Sequence, residues 1–184
     1  MPMLGIMASA ISGNLWAPSG SYDSISSVTL SASAASITFS GIPATYTHLQ
    51  IRGLGMFTGT VGVGNIAFNG DNASSNYSYH TLHGDGSTAG ASAGVSQNQG
   101  RFTAIGGTTP SYPTAMVMDI LDYANTNKYK TTRHLFAWDG NGSGYVEFDS
   151  NNWRSTNAIT SITFTPANSF NTYSSFALYG IKAG

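Results

Sequence analysis

The chain has 184 residues, 8% of them charged, no cysteine and a formal net charge of −1. That length suggests a single domain able to bury a core without metal or disulfide staples, and a hydrophobic fraction of 41% excludes a disordered composition. Near-neutrality leaves no field to steer the protein onto nucleic acid or an anionic membrane, and the missing thiols exclude cysteine catalysis, thiolate metal sites and disulfides together.

The start, Met1–Ala10, has a faint leader-like look, but it lacks a basic first region and is interrupted by Gly5 and Ser9; it reads as mature sequence. Residues 1–22 are apolar and rich in small residues (Leu4, Ile6, Met7, Ile11, Leu15, Trp16), while Pro2, Gly5, Gly13, Pro18 and Gly20 work against regular structure. This segment is expected to form an extended N-terminal arm, either folded back as an edge strand or docked on a neighbouring subunit. Residues 23–184 are expected to form one β-sandwich domain. No apolar run approaches the ~20 residues of a membrane span, so membrane insertion is not expected.

Period-two alternation then recurs and helical periodicity almost nowhere. It predicts strands over Ser26–Ser31, Ala35–Ser40, Thr47–Leu54, Asn65–Asn69, Tyr77–His83 and Arg101–Ile105. Ala115–Tyr123 is apolar on both faces and reads as a central strand covered on both sides, with Asp119 in need of a partner. Lys130–Trp138, Gly144–Asp149, Thr156–Thr165 and Ser175–Lys182 complete the set. Between them lie turn formers such as Asn69-Gly70-Asp71, Asp85-Gly86 and Asp139-Gly140-Asn141-Gly142. Gly84–Gly100, rich in Gly, Ala and Ser, reads as an exposed mobile loop, and Leu121–Tyr129 as the one place for a short helical turn. Many short strands at roughly ten-residue spacing indicate an all-β, antiparallel, jelly-roll-like β-sandwich.

Catalytic chemistry is thinly supplied. Glu147 is the only glutamate, and most aspartates lie beside Gly or Asn, where Asp caps its own backbone. Glu147 and Asp149 share one face of a strand and could form a glycosidase-like pair, although a solvated strand face, with Val146 and Phe148 turned to the core, explains them more simply. His80 and His83 are three apart and so point to opposite faces of a strand; His48 and His134 stand alone, all four as polar strand-face residues. The Asp139–Gly144 stretch opens like a calcium loop, with Asp139, Asn141 and Ser143 as the weak ligand candidates, but Ser150 stands where that motif needs Glu. No catalytic residues and no cofactor are expected. Aromatics are plentiful, with 10 Tyr, 9 Phe and 3 Trp; Tyr77, Tyr79, Tyr112, Tyr145 and Tyr173 are the candidates for surface binding, since exposed tyrosine stacks on sugars and anchors interfaces.

Several stretches resemble a family of small virion proteins of marine tailed phages: Met1–Gly13, Tyr22–Gly53 (with ITFSGIPATYTHLQIRG), Phe68–Gly86, Asp119–Arg133, Trp153–Pro166 and Phe176–Lys182. The resemblance implies a β-sandwich structural protein on the virion exterior, made in the bacterial cytoplasm, with no catalytic residues to transfer. Within that class a capsid decoration or cement protein is expected first, pinned to coat protein by its arm. The alternative is a tail-fibre tip or receptor-binding protein that touches a host-surface glycan, and a glycan-acting hydrolase stands behind both. Partners would be other virion proteins and further copies of the chain, a trimer among the options, with no nucleic acid.

Overall fold

A computed structural model of the chain describes residues 21–59, 62–109 and 111–182. Among these residues twelve strands form: β1 (Tyr22–Thr29), β2 (Ile37–Phe39), β3 (His48–Gly55), β4 (Val63–Phe68), β5 (Tyr77–Gly84), β6 (Ala89–Gln97), β7 (Gly100–Thr103), β8 (Thr114–Leu121), β9 (Lys130–Asp139), β10 (Gly144–Trp153), β11 (Ile162–Thr165) and β12 (Ser175–Ile181). They make two antiparallel sheets packed as a β-sandwich: a large one in the order β1-β12-β3-β8-β9-β10-β5-β6 and a small one in the order β2-β11-β4-β7. A jelly roll divides eight strands between its sheets; the eight-plus-four division here is a sandwich of different proportions.

The core follows from strand parity. Alternate residues of the large sheet, Leu49 and Ile51 of β3, Met116, Met118 and Ile120 of β8, and Phe176 and Leu178 of β12, are buried. They meet Ile37, Phe39, Ile66, Phe68, Phe102, Ile162 and Phe164 of the small sheet in one continuous cluster. Aromatic edges lock the contact: Phe102 meets Phe164, and Phe170 meets Phe176, each T-shaped with ring centroids 5.4 Å apart. Such pairs add to the apolar burial that holds the sheets together.

Four expectations are corrected. Gly84–Gly100 is not a mobile loop, because most of it forms β6, paired with β5 from Gly84↔Ala89 to Tyr77↔Gln97. Ala, Gly and Ser carry too little side chain to display alternation, so the backbone ladder left no mark in the hydrophobic pattern. The β8 strand is central but covered on one side only, for Ala115, Val117 and Leu121 are exposed. In Thr156–Thr165 only the last four residues are strand, and after Leu121 the chain makes a turn in which the Asn125 N–H donates to the Asp122 carbonyl at 2.9 Å, not a helix. The arm residues Leu4, Ile6, Met7, Ile11, Leu15 and Trp16 lie outside the described residues.

Close approach explains one glycine. A Cβ on Gly53 would stand 2.2 Å from Phe176 Cδ1, inside the ring of a buried side chain. Gly53→Ala should therefore destabilise the fold by about 2 kcal/mol, read as a lower urea midpoint; an unchanged midpoint would mean that Phe176 has room to shift.

Candidate functional site

The outer face of the large sheet is unusually apolar at its centre. Cross-strand register places Val117 opposite Leu135, Leu135 opposite Phe148, Phe148 opposite Leu82 and Leu82 opposite Ala91. One apolar row thus runs across five adjacent strands. A second row beside it joins Leu54, Ala115, Ala137 and Val146. Leu82 is 61% exposed, Leu135 51% and Phe148 49%. Two depressions of about 420 and 270 Å³ indent this face, the first beside Arg52, Leu54 and Val117 and the second between Val117, Leu135 and Phe148. A flanking polar row begins with Gln50, Asp119 and Arg133; the Asp119 carboxylate accepts from Gln50 Nε2 at 2.8 Å and from Arg133 Nε at 3.1 Å. Contiguous exposed apolar surface of this kind marks an interaction face.

The same strands turn charge inward. Glu147 and Asp149 are 0% and 1% exposed, whereas Val146 and Phe148 face solvent, the reverse of the expected parity. Three contacts hold β10 in this phase. Trp153 stacks on Tyr77 and packs on Phe68, its indole N–H donates to Asp71 Oδ2 at 2.7 Å, and Asn151 bridges the two sheets. Asn151 accepts from the Arg101 backbone N–H through Oδ1 and donates to the Arg101 carbonyl through Nδ2, both at 2.8 Å. A slip of one residue would turn every side chain of β10 over, expelling Trp153 from the core.

Around the two carboxyls a charged cluster closes. Arg101 Nη2 donates to Glu147 Oε1 at 3.2 Å, and His134 Nε2 lies 2.7 Å from Asp149 Oδ2 with both side chains buried. The two carboxyls stand two residues apart on one face of β10, and Glu147 Oε2 and Asp149 Oδ1 have no hydrogen-bond partner among the described residues. Burial pushes the Asp149 carboxyl up to about 6, offset in part by His134 and reinforced by Glu147. Burial acts on Glu147 in the same sense, but the neighbouring polar groups of Asp149, Thr103 and Tyr145 and the Arg101 charge outweigh it and hold the group below its usual range. Burial and the Glu147 carboxylate together raise the Tyr145 phenol. Of the two, Asp149 is the carboxyl whose proton is held more tightly than usual.

Other predicted residues fall in several places. Tyr77 is core, with its hydroxyl accepting from the Phe68 N–H at 2.9 Å and donating to the Asp71 carbonyl at 3.0 Å; it cannot bind at the surface. Tyr173 stands exposed and apart from the others, at a φ of 70°. Tyr112, Asp139 and Ser143 line one pocket of about 690 Å³ at a loop end of the sheet, floored by Ala115, Ala137 and Val146. In that hairpin Asp139 Oδ1 accepts from the Asn141 N–H at 2.9 Å, a turn contact that occupies one of the proposed calcium oxygens. Tyr79 and Tyr145 lie on the inner face of the large sheet, with Arg101, which no sequence motif marks, set over the Tyr79 ring. His80 and His83 do point to opposite faces, His83 stacking on Tyr145 at 5.4 Å, and His48 Nδ1 accepts from the Asp122 N–H at 3.0 Å. His134, expected on a polar strand face, is buried instead. The one hint of Arg101 was scarcity: a chain with 7 cations that buries two acids must place one nearby.

Compared with known proteins, the chain matches no family model, no curated protein and no solved structure.

The cluster sets a pH signature. Asp149 binds its proton more tightly folded than unfolded, so its contribution is fully present below the unfolded value of 3.8 and is lost as pH rises through about 6. Asp149→Asn, neutral throughout, escapes that loss: its stability relative to the parent should climb between about pH 4 and pH 7, measured by urea melts across the window. A constant difference would refute the raised Asp149 carboxyl. Glu147→Gln leaves Arg101 without its counter-charge and should cost on the order of 3 kcal/mol in the same assay.

Proposed function

We propose that this chain is a non-enzymatic structural protein of a tailed-phage particle, a decoration or cement protein that lies on coat protein through the outer face of its large sheet. The observation that carries the reading is the apolar row Val117, Leu135, Phe148 and Leu82, laid across neighbouring strands and left in solvent. Burying such side chains contributes about 25 cal/mol per Å², and a face with so little charge adheres with weak salt dependence. The stretches that resemble small virion proteins and the apolar residues 1–22 support the same assignment, with the arm as a second anchor. Strand β6 adds a route to self-association, because its edge carries neither charge nor proline to discourage a neighbouring strand.

A second reading, a receptor-binding protein at a tail-fibre tip, is favoured by the aromatic groups Tyr79 and Tyr145 beside the edge of the small sheet. The hydrolase reading has less support: its carboxyl pair, Glu147 and Asp149, is sealed from solvent, and a substrate must reach both groups.

Copy number separates the first two readings, with hundreds per particle for decoration and a handful for a tail component. Leu135→Ser combined with Phe148→Ser should leave the fold within about 1 kcal/mol of the parent, as exposed substitutions do, and weaken binding to stripped particles roughly a hundredfold. Deleting Met1–Gly13 should also release the protein from particles without unfolding it. Undiminished binding of the double variant would overturn the face as the contact.

A further inference from the structure

The four strands of the small sheet cannot roof the eight of the large one. The roof ends at β7, whose residues stand over β10 and β5. Beyond that edge the inner face of β6 meets solvent: Ser92, whose hydroxyl pairs inward with Thr81 at 2.8 Å, is itself exposed. The result is a step, with β5 and β6 as its floor and β7 as its wall.

The residues on this step are chemically unlike the roofed core. Tyr79 and His83 lean over β6, and only glycine permits it: a Cβ on Gly94 would fall 2.4 Å from the Tyr79 ring, and one on Gly90 would fall 2.5 Å from His83 Nε2. Both rings therefore lie along the floor. Tyr145 extends this aromatic surface by stacking on His83, and the Arg101 guanidinium, 5.3 Å from the Tyr79 ring centroid, forms the wall. Tyr79, His83, Tyr145 and Arg101 are each half-buried, with a remainder in solvent. Behind them Glu147 Oε2, Arg101 Nε and His83 Nδ1 are buried without a well-formed hydrogen bond among the described residues, an uncommon surplus of polar capacity in one place.

We propose that this step is a saccharide-binding shelf. Flat aromatic faces suit the C–H face of a pyranose, and the phenols, imidazole and guanidinium at their edges suit its hydroxyls. Charge argues against the other small-ligand classes. Arg101 is neutralised by Glu147, so an inorganic anion finds no net positive field, and the carboxylates beneath the shelf, Glu147 and Asp149, are sealed, so a quaternary ammonium finds no accessible counter-charge. The shelf lies on the opposite side of the sheet from the apolar row, so it does not rest on the decoration reading, though it deepens the receptor-binding one, and it would remain free in a protein seated by that row.

The test uses the full chain on a printed array of oligosaccharides built from hexoses, N-acetylhexosamines and deoxyhexoses, followed by calorimetric titration of any glycan that binds. Dissociation constants on the order of 10 μM to 1 mM are expected. Ser92→Trp fills the shelf from an exposed floor position, and Tyr79→Ala removes one platform. Each should weaken binding at least tenfold with the melting transition retained, while Leu135→Ser on the far face should leave it unchanged. Choline chloride and inorganic phosphate serve as competing chemistries. A folded protein that binds no glycan on the array, binding that survives both shelf variants, or competition by choline or phosphate would each overturn the proposal. Loss of particle association in the outer-face variants bears on the proposed function alone.

Discussion

The phase of strand β10 governs the rest of the molecule. Trp153, packed on Tyr77 and Phe68 and tied to Asp71, anchors one end. The Asp139–Gly144 hairpin, with Asn141 and Gly142 at positive φ, sets the register with β9 at the other. Between these anchors parity permits one arrangement: Glu147, Asp149 and Asn151 point inward, and Val146 and Phe148 outward. Neighbouring β8, β9 and β5 follow through the ladder, so a single phase choice builds both the charged cluster and the apolar outer row.

This arrangement inverts the usual economy of a sheet protein, in which charge faces water and carbon faces the core. The inversion is tolerable because each of these buried charged side chains has at least one polar partner. Arg101 reaches Glu147 from the small sheet, His134 meets Asp149 from the next strand, and Lys130 donates to the carbonyls of Asn125, Lys128 and Thr156. A buried pair gives little net stability against an apolar substitute, yet removing either member is costly. Here the Arg101–Glu147 and Asn151–Arg101 contacts also fix where the edge of the small sheet sits over the large one, and so where the open step begins.

Two surfaces of different character result. One is broad, apolar and shallowly indented, suited to another protein; the other is narrow, aromatic and edged with donors and acceptors, suited to a polar ligand with an apolar face. They occupy opposite sides of one sheet, and a protein held by the first presents the second outward. Adhesion by one face and recognition by the other are compatible in a chain with so little net charge, because neither depends on long-range attraction.

Fold class and most strand positions are legible in the residues alone, since period-two alternation and Gly-, Asn- and Asp-rich turns are local signals that need no partner to be read. Tyr77 falls at the start of a predicted strand and His80 and His83 on opposite faces, whereas the predicted end at Asp149 stops short of Trp153, the last residue of β10. Three things were decided only in the tertiary structure. The β6 strand was illegible because Ala, Gly and Ser have no hydrophobic pattern to show. The parity of β10 was read backwards because Val-Glu-Phe-Asp fits either phase, and the deciding contacts, Trp153 with Phe68 and Asn151 with Arg101, join residues about fifty or more positions apart. The shelf exists only because four strands meet eight, a mismatch of sheet widths that no stretch of sequence contains.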